Sequence, residues 1–490
     1  MSVDSQRNHP DRLSFATLDR LPSKVRRPPE VTPRRQIGVV HLGIGAFHRA
    51  HQAVFTEDAA AAIDSDHWGI LGVTQRSAAV RDDLVPQDGL FTVVERGVGA
   101  AAPRVVGAVR DVQNGPNDPD AVIAWLSSPQ IRVVTLTVTE KGYRRAAGGR
   151  FDLDDPAVRR DIAGGPPTTV VGSLARGLQQ RMRSDAGPVS VVCCDNLIDN
   201  GTVLKGLIRD FCDALPAAES DELLAWLDDS VRFPSSMVDR MVPATTERDR
   251  RELRALLGVE DRGLVVTEPF RQWVVTDEFA TDRPPWELAG AILTDDVAPW
   301  EQAKVRLLNG THSLLAYLGA LRRYDTVAEA VADDELEAAC RSLMREDVLP
   351  TLVPPDDLRL ADYSEQVLQR FANPALHHRT MQVAMDGSQK LPLRVLGTIR
   401  DRLAAGAVPV HAALAVAAWM AYVARTTEPG SAWSLDDPIA DRLGMVAASA
   451  DGDPVRLVRG LLSVRDVFGD DLAAHDDLRA VLVEQVGRLL

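Results

Sequence analysis

Cysteine is scarce. The 490 residues hold four, at positions 193, 194, 212 and 340. None forms a CxxC pair or a zinc ladder, and the adjacent Cys193 and Cys194 would face opposite sides of a strand. This excludes a disulfide-stapled scaffold and a cysteine-built zinc centre, and it points to free buried thiols in a reducing compartment, the cytoplasm. Basic charge is also short: 55 Lys and Arg stand against 70 Asp and Glu, a net charge of −15. A protein that binds nucleic acid carries the opposite balance, so that partner class is excluded. Residues 1–36 run against the trend, with eight Lys/Arg and four Asp/Glu; they read as a polar, proline-containing lead-in rather than a nucleic-acid arm. Long apolar runs are missing as well. The stretch 408–424 is short for a membrane span, contains Pro409 and His411, and is rich in alanine, so a buried helix is expected and no membrane partner. The N-terminus lacks the charged, apolar and cleavage regions of a secretory signal.

What is present is ordinary globular material, 45% hydrophobic and 26% charged, enough for a sizeable core and more than one domain. The run IGVVHL at 37–42 reads as a strand, Gly43 and Gly45 as a turn, and 47–63 as a helix. Further strands are expected at 68–74, 131–139, 189–194 and 263–267, with helical segments between several of them. That alternation predicts an α/β domain with a mainly parallel sheet. From Trp300 onward no strand is expected, and long segments of helical spacing dominate. The expected organisation is the lead-in over 1–36, a Rossmann-type dinucleotide-binding domain over 37–294, and an all-helical domain over 295–490.

Gly43, Gly45 and His48 fall in GIGAFH, after a strand and at the opening of a helix. Gly43 permits the tight turn and Gly45 lets the backbone approach a pyrophosphate, although His48 stands where a third glycine is usual. No carboxylate follows the second expected strand at 75–79, where one would hold the ribose of NAD. Arg76 there either meets a 2′-phosphate, favouring NADP, or is a solvated loop residue. His48 and His51, three apart on one expected helix, share a face and suit packing beside the cofactor better than metal binding. In KVRLLNGTH, Lys304, Asn309 and His312 can border one helix face, with Asn309 and His312 about 60° apart and Lys304 about 12 Å along the axis from His312. This is either a proton-transfer site, with a desolvated lysine as general base, or a surface lysine beside a helix-breaking Asn-Gly. Gly310 makes sense if a ligand or another backbone comes close. Glu301 either pairs with Lys304 or relays its proton. Asn196, just past a strand, either stabilises an alkoxide or sits in a plain turn.

Taken together, HLGIGAFHRAHQ, TVTEKGY, CCDNLIDNG, FPSSMVDR, TEPFRQWV, KVRLLNGTHS and MDGSQKLP resemble the mannitol dehydrogenase family of polyol-specific long-chain dehydrogenases. The resemblance implies a zinc-independent, NAD-linked oxidation of a secondary alcohol in a cleft between the two domains. By that resemblance Lys304 is the general base, Asn196 and Asn309 hold the substrate oxygen, and His312 positions and polarises it. Asp239 and Lys390 fall where the family binds the rest of the polyol. Two departures stand out. Ala78 and Ala79 replace acidic residues common in mannitol 2-dehydrogenases, which opens NADP. Gln382 replaces a substrate-contacting arginine, which brings the stretch closer to fructuronate reductases. The leading expectation is interconversion of D-mannitol and D-fructose, with D-mannonate and D-fructuronate as the alternative. A zinc alcohol dehydrogenase and a non-catalytic dinucleotide sensor are the readings from other classes.

Overall fold

A computed structural model of the chain describes residues 11–29, 36–146, 148–428, 431 and 433–490. The chain divides into two compact units, one running through Ala298 and the other from Pro299 to Leu490.

Six strands build the main sheet of the first unit: β1 (Ile37–Leu42), β2 (Gly69–Thr74), β3 (Val109–Asn114), β4 (Val133–Leu136), β5 (Val189–Cys193) and β6 (Val231–Arg232). All neighbours are parallel, in the order β3-β2-β1-β4-β5-β6. This is the doubly wound dinucleotide-binding order, in which the sense of winding reverses between β1 and β4. Side-chain alternation explains the two cores. Val40 and Leu42 pack with Leu136, Val191 and the helices Pro119–Leu126, Val170–Arg183 and Asn200–Asp213 on one face. Val39, Ile70, Val133 and Val192 pack with the helix Gln52–Ala62 and Trp273 on the other. With both faces covered, the strands read as near-continuous apolar runs. The helix Pro119–Leu126 starts as its sequence dictates, with Pro119 in the first turn and the Asp118 side chain accepting the Ala121 N–H.

Two expectations need correction. The segment 263–267 does form a strand, Val265–Thr267, but it pairs with Phe91–Glu95 in a separate three-stranded sheet. A third small sheet joins Ser236–Asp239, Gln272–Thr276 and Ile292–Thr294. The described part of the expected lead-in, 11–29, is no mere polar arm: Leu13, Leu18, Leu21 and Val25 are buried with Leu253, Leu257 and Val266. Burying each such side chain is worth roughly 1.5–3 kcal/mol. The remainder of 1–36, apart from Gln36, lies outside the described residues.

The second unit is helical, with no strand among its described residues. The helix Val410–Thr427, which includes most of the apolar run at 408–424, packs against Thr311–Leu321 and Asp476–Leu489. Its alanines let neighbours approach, and Ala412, Ala413, Trp419 and Ala421 are fully enclosed. No described helix is long and apolar enough to cross a membrane. A continuous helical run over 298–321 carries a π-helical segment, Lys304–Gly310, in its middle.

Candidate active site

In the first unit Gly43 and Gly45 follow β1, Arg76 follows β2 and Asn196 follows β5, each just past the carboxyl end of a parallel strand. Register sets Leu42 beside Leu136, which brings the next residues, Gly43 and Thr137, together. Gly43 has φ +99°, and a Cβ there would stand 2.1 Å from the Thr137 carbonyl oxygen. Its N–H donates to the Val73 carbonyl at 2.8 Å. Its own carbonyl accepts the Thr137 hydroxyl at 2.9 Å and lies 3.2 Å from His41 Nε2. Gly45, in contrast, has φ −88°, and a Cβ there would meet nothing nearer than the Gly43 carbonyl oxygen, at 3.8 Å. Nothing in the protein itself demands a glycine at 45. An open backbone at the point where the sheet reverses its winding fits a dinucleotide pyrophosphate.

His48 does not face that opening. It is fully buried, and its ring stacks on His41 at 3.4 Å between centroids. The expected continuous helix is also broken: Ala46–Ala50 and Gln52–Ala62 are separated at His51, which has φ −121° and ψ −89°. His48 and His51 therefore serve different neighbours. His51 Nε2 lies 2.8 Å from the Gln272 carbonyl, and its ring packs on Phe47, Phe55 and Trp273. Burial lowers all three imidazoles, His41 and His51 to about 3 and His48 well below its ordinary value. They are neutral packing groups beneath the turn. Among the described residues no cluster of three or more His, Cys, Asp or Glu could hold a metal ion. Arg76 is exposed just beyond the end of β2, in a stretch without a carboxylate.

Asn196 is exposed in the turn after β5. Its neighbour Asp195 accepts the backbone N–H groups of Val138 and Thr139, each at 2.9 Å, and the Tyr143 hydroxyl at 2.6 Å. Burial nevertheless raises the Asp195 carboxyl above its usual range. Thr139 has φ 70° and ψ 155°, a region almost reserved for glycine that costs about 1–3 kcal/mol and gathers at functional sites. Asp239 ends the strand Ser236–Asp239, opposite Gln272, and is buried.

In the second unit Lys304, Glu301 and His312 are buried and Asn309 half-buried. The reading of Lys304 as a surface lysine does not hold. Nor does Asn-Gly break the helix: Gly310 is helical, at φ −63° and ψ −50°. The 100° spacing expected of an α-helix fails across the π-helical segment, a rare geometry that is frequent at functional sites. A Cβ on Gly310 would come within 2.8 Å of the Arg394 carbonyl oxygen, so here it is backbone that comes close. His312 stacks on Phe371 at 4.8 Å and meets His378 edge-on at 4.8 Å. Burial, with the charges of His378, Arg394, Lys390 and Arg370 next, holds His312 well below its ordinary value. It is a neutral imidazole, and its enclosed Nε2 has no hydrogen-bond partner among the described residues. Such an orphan nitrogen is costly unless a ligand completes it. Lys390 Nζ donates to the Val383 carbonyl at 3.2 Å, and Arg394 to the Ser313 hydroxyl at 3.2 Å. Gln382 lies exposed on the short helix Thr380–Ala384.

Sequence reasoning passed over His41, Thr137, Tyr143 and Asp195 in the first unit, and Phe371, His378 and Arg394 in the second. A signal existed for His41, a polar residue inside an otherwise apolar strand. Tyr143 and Asp195 lie within TVTEKGY and CCDNLIDNG, where nothing local marks them as partners.

Comparison with known proteins decides the family. Residues 37–288 match the mannitol dehydrogenase Rossmann domain and 296–490 the mannitol dehydrogenase C-terminal domain. The chain belongs to the mannitol dehydrogenase family. Among its relatives, the D-mannonate oxidoreductase of Escherichia coli is 38% identical over 92% of this chain and 93% of its own length. A mannitol 2-dehydrogenase of Cereibacter sphaeroides is 37% identical over 90% of this chain and 91% of its own. The solved Pseudomonas fluorescens mannitol 2-dehydrogenase, a ternary complex with NAD and D-mannitol, superposes with a TM-score of 0.86 at 36% identity, covering 98% of this chain and 96% of that one. The family's two-part fold, a Rossmann-type sheet domain and a helical domain, is the one expected from the resemblance.

Proposed function

We propose that this protein is an NAD-dependent polyol dehydrogenase that interconverts D-mannitol and D-fructose without a metal ion. The observation that carries the reading is the second unit's buried Lys304 on a π-helical segment, followed by His312 with its enclosed, unpartnered Nε2. Family membership over nearly the whole chain supports it, as does the mannitol 2-dehydrogenase likeness. The 43–45 turn receives the dinucleotide, with Gly45 leaving room for the pyrophosphate. Bound NAD supplies the hydride acceptor. Lys304 takes the hydroxyl proton in the oxidative direction and returns it in the reductive one. Asn196 and Asn309 donate amide N–H groups to the oxygen as it gains charge. His312, held neutral, orients that oxygen through Nε2. Glu301, buried one turn before Lys304, relays the proton onward. Asp239 and Lys390 bind the remaining hydroxyls. Arg76 and the absence of a carboxylate at 75–79 leave NADP as a second cofactor to be tested. The four cysteines are free and buried, in keeping with a cytoplasmic enzyme.

A second reading, D-mannonate and D-fructuronate, is favoured by Gln382 in place of an arginine and by the D-mannonate oxidoreductase relative. A reductase assay in EDTA separates the two by crossing fructose and fructuronate with NADH and NADPH. Turnover of fructose is the expected result, and preference for fructuronate replaces it with the second reading. Lys304→Ala should lower turnover by roughly 10²–10⁴-fold while NADH still binds. Full activity in that variant removes Lys304 from the mechanism. Dinucleotide binding without turnover of either sugar would favour the sensor reading.

A further inference from the structure

Two sequence motifs, at 137–143 and 193–196, meet at one carboxylate in the first unit. One oxygen of Asp195 accepts the Thr139 N–H, and the other accepts the Val138 N–H and the Tyr143 hydroxyl. The same hydroxyl lies 3.0 Å from Cys193 Sγ. The main chain of Asp195 is fixed too. Its carbonyl accepts the Leu197 N–H at 2.8 Å and the Asn200 side-chain amide at 3.0 Å. Asn200 in turn brackets Ser236, donating to its carbonyl at 2.7 Å and accepting its N–H at 2.8 Å. Asn196 thus sits between two residues whose main chain is tied by hydrogen bonds. Across the latch, Thr139 is held in its glycine-like conformation in the loop after β4, one of the two strands between which the strand order reverses.

We propose that Tyr143 and Asp195 are positioning residues: they lock the turn carrying Asn196 to the strained loop after β4, so that the Asn196 amide is fixed where the reacting oxygen lies. The inference rests on the reading above, in which Asn196 holds that oxygen. Its physical content is that misplacing such a donor by about 1 Å costs on the order of 10²-fold in rate, and a turn freed from the latch has that freedom. The 43–45 turn is tied to Thr137, which is itself held by the Leu42 carbonyl, and makes no bond to Asp195 or Tyr143 among those described, so cofactor affinity should not follow.

The test is a double-mutant cycle on the full chain, with kcat, sugar KM, NADH affinity by fluorescence titration and folding by circular dichroism. Tyr143→Phe should lower kcat by roughly 10–100-fold, with KM and the NADH Kd within about twofold. Because both changes act through one amide, Asn196→Ala with Tyr143→Phe should be no slower than Asn196→Ala alone. A Tyr143→Phe enzyme with kcat within twofold of the parent overturns the inference, as do effects that multiply in the double variant. If Tyr143→Phe does not fold, Asp195→Asn gives the same reading, since an amide cannot accept all three donors. An Asn196→Ala enzyme with undiminished kcat overturns the assignment of Asn196 itself, and that result is separate from the behaviour of Tyr143→Phe.

Discussion

At the residue scale, Gly43 and Gly45 look alike in sequence and differ in what enforces them. Gly43 answers to its own protein: its positive φ and the Thr137 carbonyl 2.1 Å from any Cβ leave no room for a side chain. Gly43→Ala should destabilise the chain by more than about 1–3 kcal/mol, because strain and overlap add. Gly45 answers to the ligand. Gly45→Ala should cost only about 0.5 kcal/mol as a helix-cap change, yet weaken NADH binding by tenfold or more. Thermal melts and NADH titration of the two variants check this, and a Gly45→Ala protein that binds NADH like the parent would remove the turn from the cofactor site. Sequence reasoning could see both glycines but not this division, since it depends on Thr137, which lies more than ninety positions away in the chain.

At the element scale, the segment around Lys304 shows how a correct motif can carry a wrong geometry. The residues KVRLLNGTH mark a helix, and a helix forms. Its central turn is π-helical, however, so angles reckoned from an α-helix do not describe how Lys304, Asn309 and His312 face. The segment packs on another π-helical stretch, Pro392–Leu396, whose Arg394 carbonyl would stand 2.8 Å from a Cβ at Gly310. Backbone cannot yield there as a flexible side chain can. Gly310→Ala should lose roughly 1–3 kcal/mol of stability, read by denaturant melts, and should lower kcat by shifting the residues on either side. A variant with parent-like stability and kcat would show that the contact is not needed.

At the scale of the whole molecule, the acid side of the stability curve carries a signature. His41, His48 and His51 are buried and neutral in the first unit. In the unfolded chain each takes a proton near pH 6.5. The folded values lie below that, so their contribution is complete above pH 6.5 and is lost as pH falls toward 3. One unit below 6.5 the loss is about 1.4 kcal/mol for each histidine. Urea melts at pH 7.5 and 5.5 should therefore differ by several kcal/mol, even though partial neutralisation of the net charge of −15 acts the other way. A difference below about 1 kcal/mol would mean that the three are not held neutral together. The class of fold, the strand–glycine–helix opening, the helical second half and the motif residues are all legible along the chain. Each of these is written in neighbouring residues, through strand alternation, turn chemistry and helical spacing. Long-range packing, by contrast, sets Val265–Thr267 in a sheet of its own, makes Leu13 and its neighbours core, stacks His48 on His41, and brings Tyr143 to Asp195. Those outcomes depend on which distant segments pair and what the packed backbone excludes, and local pattern carries no record of either.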